Sequence, residues 1–371
     1  MSTRHGPLML LRLGSVPTLV VSSAAASGEV MRARDLAFCS RHLSATAAAI
    51  SRGGRDIVFS PYGARWRDLR KVCVLELFSH RRVLSFRPVR EDEVARLLRS
   101  VSGECAGGAA VDLGEAIGCT VNDVIVRMVV GARCRLRDEF LRELDAAVRL
   151  TGGFSLVDLY PSSRLVRWFS AAARDIARCQ RNMYRIIESI IHEREAKQMG
   201  DGEEDLLGVL LRLQKEGGLQ FDLTNEILKH RHLLDVFAAG SETSSTVLVW
   251  AMSELTKNPR VLHKAQSEGE NLHLVIKETL RLHTPLPFLL ARECRETCQV
   301  MGYDVPKGVK VIVNVWAISR DNSFWDDGED SDQKDLSIAA SISKEPTLST
   351  LHLEREGEYA LGSCLGWPTW S

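Results

Sequence analysis

One segment constrains this chain more than any other. A continuous helical pattern runs from Asn225 to Lys257, with Thr224 as a candidate N-cap and Asn258-Pro259 as its stop. At 1.5 Å per residue such a helix is roughly 50 Å long, enough to cross a whole domain. Its apolar residues are not confined to one side, so it is expected to be central and buried. A chain organised around such an element is mainly α.

The remaining pattern agrees. Helical periodicity marks Glu29 to Arg41, Arg65 to Leu77, Arg87 to Val101, Leu113 to Val130, Ser162 to Lys197 and Asn271 to His283. Short apolar runs suggest a minor β part: Pro7 to Leu13, Thr18 to Ser22, Phe288 to Arg292, Gln299 to Met301 and Val309 to Val313. A type-II-like turn at Val305-Pro306-Lys307-Gly308 leads into the last run. Ser51 to Gly63 is expected to be a loop, and Gly200 to Glu204 an acidic break.

Composition excludes several classes. Lys plus Arg is 48 and Asp plus Glu is 48, so no basic excess suggests a nucleic-acid partner. With 45% hydrophobic and 26% charged residues the chain reads as an ordinary folded one. No uncharged apolar run reaches the length that spans a bilayer. The nine cysteines are scattered, which suits reduced thiols. Cys294 and Cys298 lack a second nearby ligand pair, so no zinc site is expected.

Four motifs carry chemistry. Within the long helix stands Ala239-Gly240-Ser241-Glu242-Thr243-Ser244. Gly240 weakens the helix by about 1 kcal/mol relative to Ala, and the Thr243 hydroxyl can return to the Ala239 carbonyl. A locally opened helix holding a hydroxyl and a carboxylate can handle protons; a core helix with a tolerated Gly and a solvated Glu would read the same way. Glu278-Thr279-Leu280-Arg281 places Glu and Arg three apart on one face, as a surface ion pair also would. In Trp66-Arg67-Asp68-Leu69-Arg70-Lys71, Trp66 and Arg70 share a face that can hold a carboxylate or phosphate, or can simply be basic and solvated. Leu286 to Glu293 is an apolar stretch around Arg292 that could line a pocket or form a buried strand.

Together and in this order, these motifs resemble a plant microsomal cytochrome P-450. The likeness covers most of Gly6 to Asp330. It rests on Asp56-Ile57-Val58-Phe59-Ser60-Pro61-Tyr62-Gly63 leading into Trp66-Arg67, on Ala-Gly-x-Glu-Thr, on Val275 to His283, and on Gly302-Tyr303-Asp304-Val305-Pro306-Lys307-Gly308. The resemblance implies a mainly α cytochrome P-450 fold with a minor β part, incomplete here. It implies that Thr243 and Glu242 deliver protons for dioxygen chemistry. Ala239 and Gly240 would open the helix beside a heme, and Trp66, Arg70 and Arg292 would bind its propionates. Glu278 and Arg281 would form a structural pair, while Ser44 to Phe59 and Pro285 to Leu290 would meet the substrate. The implied reaction inserts one oxygen atom from dioxygen into a small lipophilic molecule of the plant secondary-metabolite kind. Electrons would come from NADPH through a cytochrome reductase at the endoplasmic reticulum membrane.

The departures are expectations too. The family's N-terminal anchor is absent, so this chain is expected to be cytoplasmic or peripheral. A segment near 267–270 is shorter than the family's. The iron-ligating cysteine loop is not recognisable: around Cys364 only Gly366 fits, so no metal ligand is assigned and Cys364 is a weak fallback.

Residues 1–330 are therefore read as the cytochrome P-450 domain and 331–371 as an aberrant tail. Reading the last base of each codon with the first two of the next turns Asp330 to Leu336 into Phe-Arg-Pro-Glu-Arg-Phe. It turns His352 to Gly362 into Phe-Gly-Ala-Gly-Arg-Arg-Ile-Cys-Pro-Gly, the missing ligand loop, with permitted codons. A shifted reading frame would leave heme poorly bound. The leading expectation is a heme-thiolate monooxygenase by family; the alternative is a non-catalytic relic that binds no heme.

Overall fold

The computed structural model describes residues 2–133, 135–152, 154–196, 205–216, 233–267, 272–323 and Trp325. Thr224, residues 225–232, the Gly200–Glu204 break, the 268–270 segment, the 331–371 tail and Cys364 lie outside the described residues. The described residues form two compact units. One draws on the described residues within 2–42 and 243–325, the other on those within 43–242.

The first unit contains the sheets. β1 (Leu8–Leu13) and β2 (Val16–Val21) form a tight hairpin. Gly14 sits at its tip with φ +63°, as two-residue hairpin turns require. β3 (Ser40–Arg41), β4 (Arg292–Glu293) and β7 (Lys310–Val313) complete a five-stranded sheet of order β1-β2-β7-β4-β3. Only the β2–β7 pair is parallel. β7 is buried at all four positions, and its β-branched Val311-Ile312-Val313 run suits a central strand. A separate hairpin joins β5 (Cys298–Val300) to β6 (Tyr303–Val305). Met301 and Gly302 turn it with φ +49° and +81°, so both central residues are left-handed. Leu19, Val21, Phe38, Cys294, Val300, Val305, Val311 and Val313 share one apolar core.

The second unit is helical. Its main elements are Ala64–Val72, Arg87–Ala106, Leu113–Val130, Arg137–Thr151, Ala171–Ala196 and Leu206–Glu216. Leu113–Val130 shows why its bounds were legible: the Asp112 side chain accepts from the Glu115 N–H at 3.0 Å, and Gly131 ends the helix at φ +70°. Phe140 and Phe237 meet edge-to-face at 5.2 Å within its core. Glu93, buried on Arg87–Ala106, is held by Arg127 and Arg133.

Several expectations need correction. The Glu29–Arg41 helix is instead a broken run: Ala24–Gly28, a wide-turn segment Glu29–Ala33, then Asp35–Phe38, with Ser40–Arg41 already in β3. Ser162–Lys197 breaks at Ser170 into Arg164–Phe169 and Ala171–Ala196. Only Arg292 of the Phe288–Arg292 run enters a strand. The expected turn is one residue later: Val309 N–H reaches the Pro306 carbonyl at 3.4 Å, and the left-handed residue is Gly308 at φ +84°. Gly there avoids the Cβ clash that Lys307 would have suffered. Arg137–Thr151, Leu206–Glu216, Pro259–Ser267 and β6 were not anticipated.

Candidate functional site

The described part of the long helix runs from Leu233 to Lys257 without a break and stops before Asn258-Pro259. It is buried along a stripe rather than all round. Thr243, Ser244, Val247, Ala251 and Leu255 are buried, whereas Leu248, Trp250 and Met252 are exposed. The expectation of burial on several sides is thus only half met.

The Ala239–Ser244 motif lies on this helix. Gly240, Ser241, Thr243 and Ser244 are buried, and Ala239 is half-buried. Ser241, Thr243 and Ser244 put three buried hydroxyls within about one turn after Gly240, and burying a hydroxyl costs unless it finds a partner. Ser241 accepts from Asn122 Nδ2 at 3.3 Å, within the helical unit. Asn122 was not foreseen; its place on the Leu113–Val130 helix between Val121 and Asp123 carried no distinguishing signal. Glu242 keeps an exposed surface, yet desolvation raises its carboxyl pKa. Asp145 adds to that rise and Arg149 offsets part of it.

In the helical unit, Trp66 and Arg70 do meet. The Arg70 guanidinium lies 5.1 Å from the Trp66 ring centroid, one turn apart on Ala64–Val72. The Trp66 indole N–H donates to the Ile57 carbonyl at 3.1 Å. Asp235 on the long helix accepts the Ile57 N–H at 3.0 Å, which fixes the loop before Trp66. The Ser44–Phe59 segment is not all loop: Ser44 caps the short helix Ala45–Ile50.

In the sheet unit, Arg292 lies on β4, half-buried, and Nη1 donates to the Phe38 carbonyl at 3.2 Å. Glu278 and Arg281 form a buried fork, not a surface pair. Arg281 Nε donates to Glu278 Oε2 at 2.8 Å, and Nη2 to Oε1. Nη1 reaches the Ser319 carbonyl at 2.8 Å, and the Trp325 ring lies 4.7 Å from the guanidinium. Close by, His283 stacks on Trp250 at 3.9 Å and bonds Glu254 at 3.1 Å.

The family model for cytochrome P450 matches residues 1–332. The chain belongs to the cytochrome P450 family. Zealexin A1 synthase from Zea mays is 45% identical over 350 residues, covering 88% of this chain and 69% of its own length. Ent-cassadiene hydroxylase from Oryza sativa subsp. japonica is 46% identical over 360 residues, covering 89% and 69%. A zebrafish cytochrome P450 solved with progesterone shares the fold at a TM-score of 0.74 and 21% identity, over 95% of this chain and 90% of its own.

As a cytochrome P450 the chain is by family a heme-thiolate monooxygenase acting on lipophilic molecules, and heme is the family's cofactor. Within its own unit each of Arg70 and Arg292 is a planar, half-buried cation, the kind of donor that suits a carboxylate. Burial pushes the Cys73, Cys179 and Cys294 thiols up to about 12. No helix among the described residues is long and apolar enough to cross a membrane.

Proposed function

We propose that this cytochrome P450 hydroxylates a terpenoid hydrocarbon, with NADPH electrons arriving through a cytochrome reductase at the endoplasmic reticulum membrane. One observation carries the mechanistic part: Thr243 is buried directly after Glu242, whose carboxyl pKa desolvation raises, on the helix Leu233–Lys257. The relatives support the substrate class, since those at 45–46% identity include a dolabradiene monooxygenase and an ent-cassadiene hydroxylase.

Heme, when bound, supplies the dioxygen chemistry that puts one oxygen atom into the substrate. Our assignment gives this chain's residues the following parts. Glu242, with its raised pKa, holds a proton to higher pH than an ordinary carboxylate and passes it to Thr243 Oγ1. Ala239 and Gly240 leave space on the helix, since neither carries more than a methyl group. Trp66 and Arg70, and separately Arg292, are each assigned to a propionate of the heme. Glu278 and Arg281 hold structure and touch no substrate. Pro285 to Leu290 contribute apolar contact to the ligand.

We assign residues 331–371 to the ligand-loop coding region in a shifted frame. The end of the family match at residue 332 supports this, because the shift is placed at Asp330. Sequencing the coding DNA tests it: His352 is expected as CAT, Leu353 as TTG, Glu356 as GAA and Tyr359 as TAT, and any other codon there defeats the assignment. A second reading, that the chain as it stands binds heme poorly and is inactive, rests on the shifted frame, which would leave the ligand loop untranslated. An absorbance spectrum of reduced protein with carbon monoxide separates the two. A thiolate-type Soret shift in the unaltered chain refutes poor binding, and no Soret band even after frame restoration refutes the monooxygenase reading.

A further inference from the structure

The sheet unit holds a pair of thiols that the proposed chemistry does not use. Cys294 Sγ and Cys298 Sγ lie 4.0 Å apart. Cys294 follows β4, and Cys298 opens β5. Two sets of backbone bonds fix them separately. The Cys294 N–H donates to the Val309 carbonyl at 2.9 Å, and its carbonyl accepts from Gly308 at 2.7 Å. Cys298 is paired with Val305 across the β5–β6 hairpin. The Cys294 thiol also points at the Val305 carbonyl, 3.7 Å away. Both sulfurs therefore converge on one side of Val305, against the same core.

Their exposure differs in a useful way. Cys294 is fully buried, while Cys298 is half-buried and reachable by a small oxidant. A disulfide needs its sulfurs at about 2.05 Å. Forming the bond means closing the remaining gap between the sulfurs, with the backbone at both residues held by the bonds above. Arg295-Glu296-Thr297 is long enough to bridge the two positions, and the Thr297 hydroxyl is tied to the Lys307 N–H at 3.2 Å.

We infer that Cys294 and Cys298 are an oxidation site, at which hydrogen peroxide joins them as a disulfide. The Cys298 thiolate attacks one peroxide oxygen; the O–O bond breaks and hydroxide leaves, taking up the proton Cys298 released. Cys298 is then a sulfenic acid. The Cys294 sulfur attacks the Cys298 sulfur, the S–O bond breaks, and the departing hydroxyl takes the Cys294 proton as water. Two thiols lose two electrons and one peroxide becomes two waters. The bond staples the β5–β6 hairpin to the strand carrying Arg292. Cys298, the more exposed thiol, meets peroxide first, and the buried Cys294 is the resolving thiol.

Trypsin reads the result directly, because it cuts after Arg292, Arg295 and Lys307. The full chain is treated with peroxide, blocked with a thiol alkylator and digested without reductant. The expected product is Glu293–Arg295 joined to Glu296–Lys307, separable by reduction. In Cys294→Ala, which needs no buried hydroxyl, dimedone should trap Cys298 as sulfenic acid at least about tenfold more than in the unaltered chain. Cys298→Ser should leave Cys294 unmodified. A Cys298 that proceeds to sulfinic acid without the joined peptide overturns the inference, as does a disulfide from Cys298 to any other cysteine.

Discussion

Breaking the Glu278–Arg281 fork should destabilise the protein by about 3–5 kcal/mol, the cost of leaving one buried charge without its partner. The side chains are 10% and 3% exposed, so water cannot replace the lost carboxylate. Glu278→Ala removes two charge-assisted hydrogen bonds and leaves Arg281 with the Ser319 carbonyl and the Trp325 ring. Against a total stability on the order of 5–15 kcal/mol, that loss is large. Arg281→Lys should cost nearly as much, because a point-charge ammonium cannot reproduce a fork that serves Glu278 and Ser319 together.

Urea unfolding followed by far-UV circular dichroism measures the loss. The decisive control is the double variant Glu278→Leu/Arg281→Met. Replacing a whole buried pair by apolar side chains is often neutral, so the double variant should recover at least half of what either single variant loses. Single variants that lose less than about 1 kcal/mol would place the pair among exposed ion pairs and refute the reasoning. So would a double variant whose loss is the sum of the two singles, since that denies any coupling.

Thr243→Ala, in the frame-restored, heme-loaded protein, should keep consuming NADPH while product falls and peroxide rises; unchanged coupling sinks the proton assignment. Glu93→Gln should lower stability at neutral pH and flatten its decline in acid. Desolvation works against Glu93, but Arg133 and Arg127 win and depress its carboxyl pKa. Its contribution is therefore present above the unfolded value of about 4.3 and lost as pH falls through the folded one. A variant with an unaltered acid limb in urea titrations would contradict this. Asp158→Ala should cost about 1–3 kcal/mol in thermal or urea melts, since Asp158 accepts from the Thr46 N–H, the Thr46 hydroxyl and the Ser155 hydroxyl at 2.7–2.9 Å. A change within a few tenths would show that water substitutes there.

What was legible in the sequence was local. Leu113–Val130 was legible from its helical period, and Asp112 and Gly131 close its two ends in the structure. The two apolar runs on either side of Gly14 were legible as strands, but their pairing as a hairpin was not. Arg137–Thr151 was missed although its apolar stripe is strong: it carries seven charged residues, Arg137, Asp138, Glu139, Arg142, Glu143, Asp145 and Arg149, which read as a solvated segment. Its burial comes from Phe140 and Leu144 meeting partners such as Phe237, far along the chain. β3 and β4 are two residues long and exist because β7 offers an edge. No window of such length carries a strand period.

The motif residues show the same division. That Glu278 and Arg281 share a face follows from their spacing, and so does the pairing of Trp66 with Arg70. Whether a pair is a weak surface contact or a costly buried one does not follow from spacing. It is decided by what covers it. For Arg281 the cover is Ser319, 38 positions later, and Trp325 beyond it. The same spacing therefore stands for an interaction worth almost nothing or for several kcal/mol, and only the tertiary partners choose between them. If the shifted-frame tail is right, the segment that family members fold near this fork starts just after Trp325. Frame restoration should then stabilise the unaltered protein more than it stabilises Arg281→Lys. Equal gains in the two would separate the tail from the fork and leave the proposed reading frame without its structural support.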